Sequence, residues 1–134
     1  MGSFSNFLEL ELLDQVFGAL AYTAPATLYI ALSTADPTDA GSGIAEPVGN
    51  NYSRKSVANN KTTWDTAVAG ALANAIAITF PTASGNWGTI SHFAIFDDPT
   101  AGNMLAHGSL VVSKQVTTSD TAEFAIGDID ITLD

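Results

Sequence analysis

The feature that most constrains this chain is a succession of short period-two runs, each closed by turn residues. Leu28, Ile30 and Leu32 alternate with Tyr29, Ala31 and Ser33. That is the repeat of a strand, whose successive side chains point to opposite faces. The run follows Pro25 and stops at Asp36-Pro37. Residues 73–80 close on Pro81 in the same way, and residues 90–96 close on Asp97-Asp98-Pro99. Residues 52–58, 64–68, 104–112, 123–126 and 128–133 read as further strands. Strands at this spacing, with Gly, Pro, Asn and Asp between them, predict a mainly β fold: a single-domain antiparallel β-sandwich, jelly-roll-like, and not an alternating α/β fold.

One segment departs from the pattern. Residues 6–17 read as a short helix, with Asn6 as its cap and Glu9 three positions on, as in a capping box. Leu8, Leu12, Leu13, Val16, Phe17 and Leu20 form an apolar stripe, with Glu11, Asp14 and Gln15 opposite. Gly18 is the stop signal. A helix of about three turns is marginal alone, so it must dock on its own sheet or on a neighbouring subunit. The predicted organisation is an N-terminal helical arm over residues 1–20 and a β-sandwich domain over residues 21–134. The long loop after Asp36, rich in Gly and Pro to Gly49, is too short to separate domains.

Composition narrows the function. A chain of 134 residues is one domain on size. With no cysteine, disulfides, thiol nucleophiles and thiolate metal sites are excluded. Fourteen acidic residues against four basic ones give a net charge of −10. That charge repels phosphate backbones and anionic membrane surfaces, so neither nucleic acid nor a membrane is an expected partner. It favours solubility, or contact with a basic surface. Glu9, Glu11 and Asp14 interrupt the N-terminal apolar stretch, so no secretory signal is expected. The longest apolar-leaning run, residues 67–80, is broken by Gly70 and Asn74 and is too short to span a bilayer.

No cluster of residues reads as chemistry. His92 and His107 lack further ligands at metal spacing and read as packed strand residues. Asp36, Asp39 and Glu46 share a Gly-rich loop without the alternation a calcium loop needs, and Asp97-Asp98 with Asn103 is a similar turn. Asp128, Asp130 and Asp134 alternate with Ile129, Ile131 and Leu133, as on a strand with one wet face. There is no nucleophile elbow and no phosphate loop. Trp64 and Trp87 are core or interface anchors, or, for Trp87 at a turn, a sugar platform. Arg54 and Lys55 hold half of the positive charge, for an internal salt bridge or a subunit contact. An enzyme, a metal and a cofactor are all unexpected.

A likeness rests on residues along nearly the whole chain. Residues 22–32, Gly49-Asn50-Asn51-Tyr52-Ser53-Arg54, Ile78-Thr79-Phe80-Pro81, Gly88 to Asp97, Gly102 to Leu110 and the ending from Gly127 resemble small structural proteins of tailed bacteriophages. Such proteins are commonly labelled tail-fibre or virion structural proteins. The resemblance implies a non-catalytic virion component, assembled in the host cytoplasm. Without the length and repeats of a fibre shaft, the chain fits a capsid decoration or cement protein clamping the major capsid protein. The alternative is a tail-fibre or baseplate subunit contacting the host. A carbohydrate-binding module acting through Trp87 is a third reading. Contacts to other virion subunits and a homotrimer or homodimer are expected. Buried aromatic and Arg anchors dominate such interfaces, and Phe7, Leu8, Phe17, Tyr52, Arg54 and Trp87 are the residues expected to supply them.

Overall fold

The computed structural model describes residues 2–133, so Asp134, the expected end of the carboxylate row, lies outside the described residues. The fold is mainly β with one short helix near the N-terminus. The sheet is built on three long strands: β2 (Thr27–Ser33), β6 (Gly88–Phe96) and β7 (Met104–Val116). β2 pairs antiparallel with β6, from Tyr29 opposite Phe96 to Ser33 opposite His92. β6 pairs antiparallel with β7. β3 (Lys55–Ala58) closes one edge on β2. Beyond β7 come β1 (Gly2–Phe4), β9 (Asp130–Thr132) and β4 (Ala71–Ala73), for a seven-stranded order β3-β2-β6-β7-β1-β9-β4. A separate two-stranded ribbon pairs β5 (Ile78–Thr79) with β8 (Glu123–Phe124).

The period-two pattern places the core. Leu28, Ile30 and Leu32 from β2 meet Phe93 and Ile95 from β6, and these residues belong to the main buried cluster. The intervening Ala31, Ala94 and Phe96, with Met104, form a second buried cluster against Ile44. Both faces of the central strands are therefore covered at this end, the second by the loop after β2. Ile90 and Phe93 both reach the main core despite an odd spacing. The pairing is irregular there: the step from Ile90 to His92 on β6 faces the longer stretch from Lys114 to Ser109 on β7, so the ladder is interrupted as at a β-bulge.

Several sequence expectations change. The sheet is mixed, because β1 runs parallel to β9 and antiparallel to β7. β1 lies within the expected N-terminal arm, and three residues carry too little periodicity to announce it. Gly2 is fitted to that slot: an added Cβ would come within 2.8 Å of the Phe93 ring and 2.9 Å of the His107 carbonyl oxygen. Residues 64–68 are not a strand; Trp64 and Val68 make single bridges to Asn74 and Ala71. Ala69 and Gly70, both at positive φ, fold Val68 directly back onto Ala71. The expected strand at residues 73–80 is cut into β4 and β5, with Asn74 buried at the break.

The helix α1 (Asn6–Gly18) is capped by Ser5, not Asn6. The Ser5 hydroxyl accepts from the Leu8 amide at 3.3 Å and donates to the Met104 carbonyl oxygen. The Ser5 amide donates to the Leu105 carbonyl oxygen at 2.9 Å. One buried serine thus satisfies a free helix amide and fixes the helix start to β7. Ala19 ends the helix in the left-handed region, with its amide on the Asp14 carbonyl oxygen.

Candidate functional site

The densest polar network is built around Arg54. Nε donates to both carboxylate oxygens of Glu46, at 3.1 and 3.2 Å, and Nη2 donates to Oε2 at 2.8 Å. Nη1 donates to the carbonyl oxygens of Asp98 and Ala101, each at 2.8 Å. The guanidinium carbon lies 3.7 Å from the centroid of the Phe96 ring, a cation–π contact. The Tyr52 hydroxyl donates to Glu46 Oε1 at 2.7 Å and accepts from the Leu32 amide at 3.0 Å. Burial, then the adjoining carboxylate, holds that hydroxyl well above the ordinary phenol range. The planar fork of arginine suits this work: it clamps two loops and a strand end at once.

Trp87 and Tyr52 continue the clamp into the core. Trp87 is 3% exposed, and its Nε1 donates to the Asn50 carbonyl oxygen at 2.8 Å. Its ring meets Tyr52 edge-on at 5.3 Å, and Tyr52 stacks beside Phe80. Edge contacts then run from Phe80 to Phe124 and on to Phe93. Three of the six expected interface residues, Tyr52, Arg54 and Trp87, therefore hold the domain together from within. Trp87 presents no face to a sugar. Trp64 is also buried, in the wall of an open, largely apolar cavity of about 430 Å³ between Leu8, Pro25, Leu28 and Ile131. Its indole nitrogen has no hydrogen-bond partner among the described residues.

The histidines and acids shape loops. His107 Nε2 lies 2.8 Å from Asp39 Oδ1, and Nδ1 lies 3.9 Å from Asp36 Oδ1. His92 Nδ1 is 2.8 Å from the hydroxyl of Ser91. Asp97 accepts from the amide and side chain of Asn103, and Asp98 accepts from the amides of Thr100 and Ala101. Those two amides hold the Asp98 carboxyl below its ordinary value, and the Thr117 amide and hydroxyl do the same for Asp120. Asp128 accepts from the Ala125 amide at 2.8 Å, while Asp130 is half-buried on β9. Among the described residues no group of three or more His, Asp or Glu is placed to hold a metal ion.

Asn74 is a residue that motif reasoning missed. Its Nδ2 donates to the carbonyl oxygens of Ile76 and Ala125, at 2.7 and 2.8 Å, and its Oδ1 accepts from the Ile129 amide at 2.8 Å. A buried asparagine with both side-chain ends satisfied ties the β4–β5 break to the turn before β9. The one signal in the sequence was a polar residue interrupting an apolar run.

The remaining three expected anchors lie on α1, and they divide by face. Phe7 and Leu8 pack half-buried against the core. Phe17 is 84% exposed, and Leu10, Leu13, Val16 and Leu20 are exposed with it. Among the described residues none of the helix is fully buried. A groove of about 480 Å³ runs beside this face, lined by Phe4, Glu9, Leu12, Leu13, Val16, Phe17 and Leu133. Phe7 also touches Tyr22 edge-on, at 6.4 Å between ring centroids.

Fold and surface together define a small β-rich structural domain, internally cross-tied by polar clamps and carrying an apolar helix face that its own sheet leaves open. The chain matches the family model described as "Podophage GP4 fiber I protein gp80" over residues 3–132, and it belongs to that family. It is accordingly a structural component of a phage virion, and the virion is where it resides. Among curated proteins nothing matches the chain.

Proposed function

We propose that this chain is a fibre-associated subunit of the phage particle that works by docking and performs no catalysis. The observation that carries the reading is the open apolar face of α1. Leu10, Leu13, Val16 and Phe17 are exposed on a helix whose other face, through Phe7 and Leu8, packs half-buried on its own domain. A contiguous exposed apolar patch on a soluble domain marks an interaction surface. The family description supports the fibre reading ahead of head decoration, because it names a fibre protein and matches nearly the whole chain. The inward turn of Trp87 leaves the sugar-platform reading without its residue.

The test is location. Antibody-gold labelling of intact particles, with mass spectrometry of separated fibre and head fractions, should place the chain on fibres. Labelling confined to the head shell would replace the fibre reading with the decoration reading.

A further inference from the structure

We infer that the open apolar cavity beside Trp64 is a binding site for a medium-chain alkyl carboxylate, its hydrocarbon tail inside and its carboxylate at the mouth beside Lys61. The site is separate from the exposed face of α1. The cavity, of about 430 Å³, takes wall residues from most strands of the large sheet: Phe4 (β1), Leu28 (β2), Leu72 (β4), Ile95 (β6), Leu105 (β7) and Ile131 (β9). Leu28, Ile95 and Leu105 belong to the main core, and Leu72 and Ile131 pack against it. The cavity is therefore a gap on the core side of the sheet and not a dent in its outer surface. Protein interiors are close-packed, so an open apolar gap within the ligand-sized range of about 300–1,000 Å³ marks a binding site. Its lining offers water few partners and suits a hydrocarbon chain.

The rim selects the head group. Asn59, Asn60 and Lys61, on the turn after β3, line the cavity and are exposed. Asn59 Nδ2 donates to the Pro25 carbonyl oxygen at 2.8 Å and keeps a second hydrogen. Asn60 Oδ1 accepts from the amides of Thr62 and Thr63, at 2.9 and 3.1 Å, so its spare capacity includes the Nδ2 donors. Lys61 Nζ donates to the Asp65 carbonyl oxygen at 2.6 Å, a neutral partner, and forms no ion pair among the described residues. In the same wall, Trp64 Nε1 is a further donor without a partner among the described residues. The spare side-chain capacity is thus mostly donors beside one positive charge. An ionised carboxylate is acceptor-only and matches both. A peptide segment would bring backbone N–H donors of its own, and a cationic head would set like charge against Lys61.

The chain holds two tryptophans, so their indole N–H resonances separate this site from the rest of the core. In the isotope-labelled full chain, sodium dodecanoate kept below its micelle concentration should shift the Trp64 indole signal as a single saturable site. The Trp87 signal, with its N–H held on the Asn50 carbonyl oxygen, should stay in place. Dodecyltrimethylammonium should bind the chain at least about threefold more weakly than dodecanoate does, the scale of an exposed ion pair. Lys61→Gln should weaken dodecanoate binding by a similar factor, and Lys61→Arg should restore it. Ala24→Trp, at an exposed position of the cavity wall, should block binding, with circular dichroism confirming that the variant folds. The absence of a saturable shift, a shift of Trp87 alone, or equal affinity for the two head groups would overturn the inference. So would unchanged binding in a folded Ala24→Trp chain.

Discussion

At the scale of single residues, the structure is held by polar groups that satisfy one another out of water. Arg54 shows this most clearly. Removing it leaves the Glu46 carboxylate with only the Tyr52 hydroxyl as a donor and takes the guanidinium donor from the carbonyl oxygens of Asp98 and Ala101. Arg54→Ala should therefore cost about 3 kcal/mol in urea unfolding, as expected when one partner of a buried pair is deleted. Arg54→Lys should recover little of it, because an ammonium cannot reproduce the bidentate fork or the stacking on Phe96. Two acids make a different prediction. Asp98 and Asp120 have folded-state pKa values below the ordinary 3.8, because turn amides and, for Asp120, the Thr117 hydroxyl stabilise their charged forms. Their contribution is complete above the unfolded value and is lost as pH falls through the lower folded value. Unfolding free energy should thus decline as pH falls below about 4, and the decline should be shallower in Asp98→Asn with Asp120→Asn. An unchanged acid limb in that variant would mean that other carboxylates set it.

At the scale of elements, β1 and α1 play opposite parts although they are neighbours in sequence. β1 is inserted between β7 and β9, so it ties the start of the chain to the end. Gly2→Val places a branched side chain where even a single Cβ would crowd the Phe93 ring and the His107 carbonyl oxygen. It should lower stability by about 1–3 kcal/mol, the usual cost of overpacking, and should raise amide exchange along β9 first. α1 behaves differently because its outer face is exposed among the described residues. Leu13→Ser and Phe17→Ser should each change unfolding free energy by no more than about 0.5 kcal/mol, as surface substitutions do. The same variants should reduce incorporation into particles. A loss of stability comparable to a core substitution would show that the helix face packs on its own domain in solution.

At the scale of the whole molecule, the ties are long-range. Ser5 bonds to Met104 and Leu105, Asn74 bonds to Ile129, and Gly2 pairs with Gly108 and Ile131. A chain whose ends pair within one sheet must close large loops before its contacts repay the entropy. Refolding should therefore fall in the range of about milliseconds to seconds typical of non-local β topologies. Stopped-flow tryptophan fluorescence can follow it, since Trp64 and Trp87 are both buried in the native state. Microsecond folding would show that local structure dominates after all.

The sequence by itself determined the mainly β class, the helix near the N-terminus, the central strands and the lack of any recognisable catalytic motif. Each of these rests on local signals: period-two alternation in β2 and β6, the apolar stripe in α1, and Pro, Gly and Asp at the turns. Residues along the whole chain also carried the phage-structural likeness. Tertiary structure alone decided which face each aromatic or charged residue takes. Tyr52, Arg54 and Trp87 carry the chemistry of interface anchors, and so does Phe17, yet the first three turn inward and the last turns out. Local pattern cannot separate them, because burial depends on partners far along the chain: Glu46, Asp98 and Ala101 for Arg54, and Asn50 for Trp87. The same holds for β1. Three residues with no usable period became a central strand only because β7 and β9 left a slot, and that slot has room for glycine at position 2.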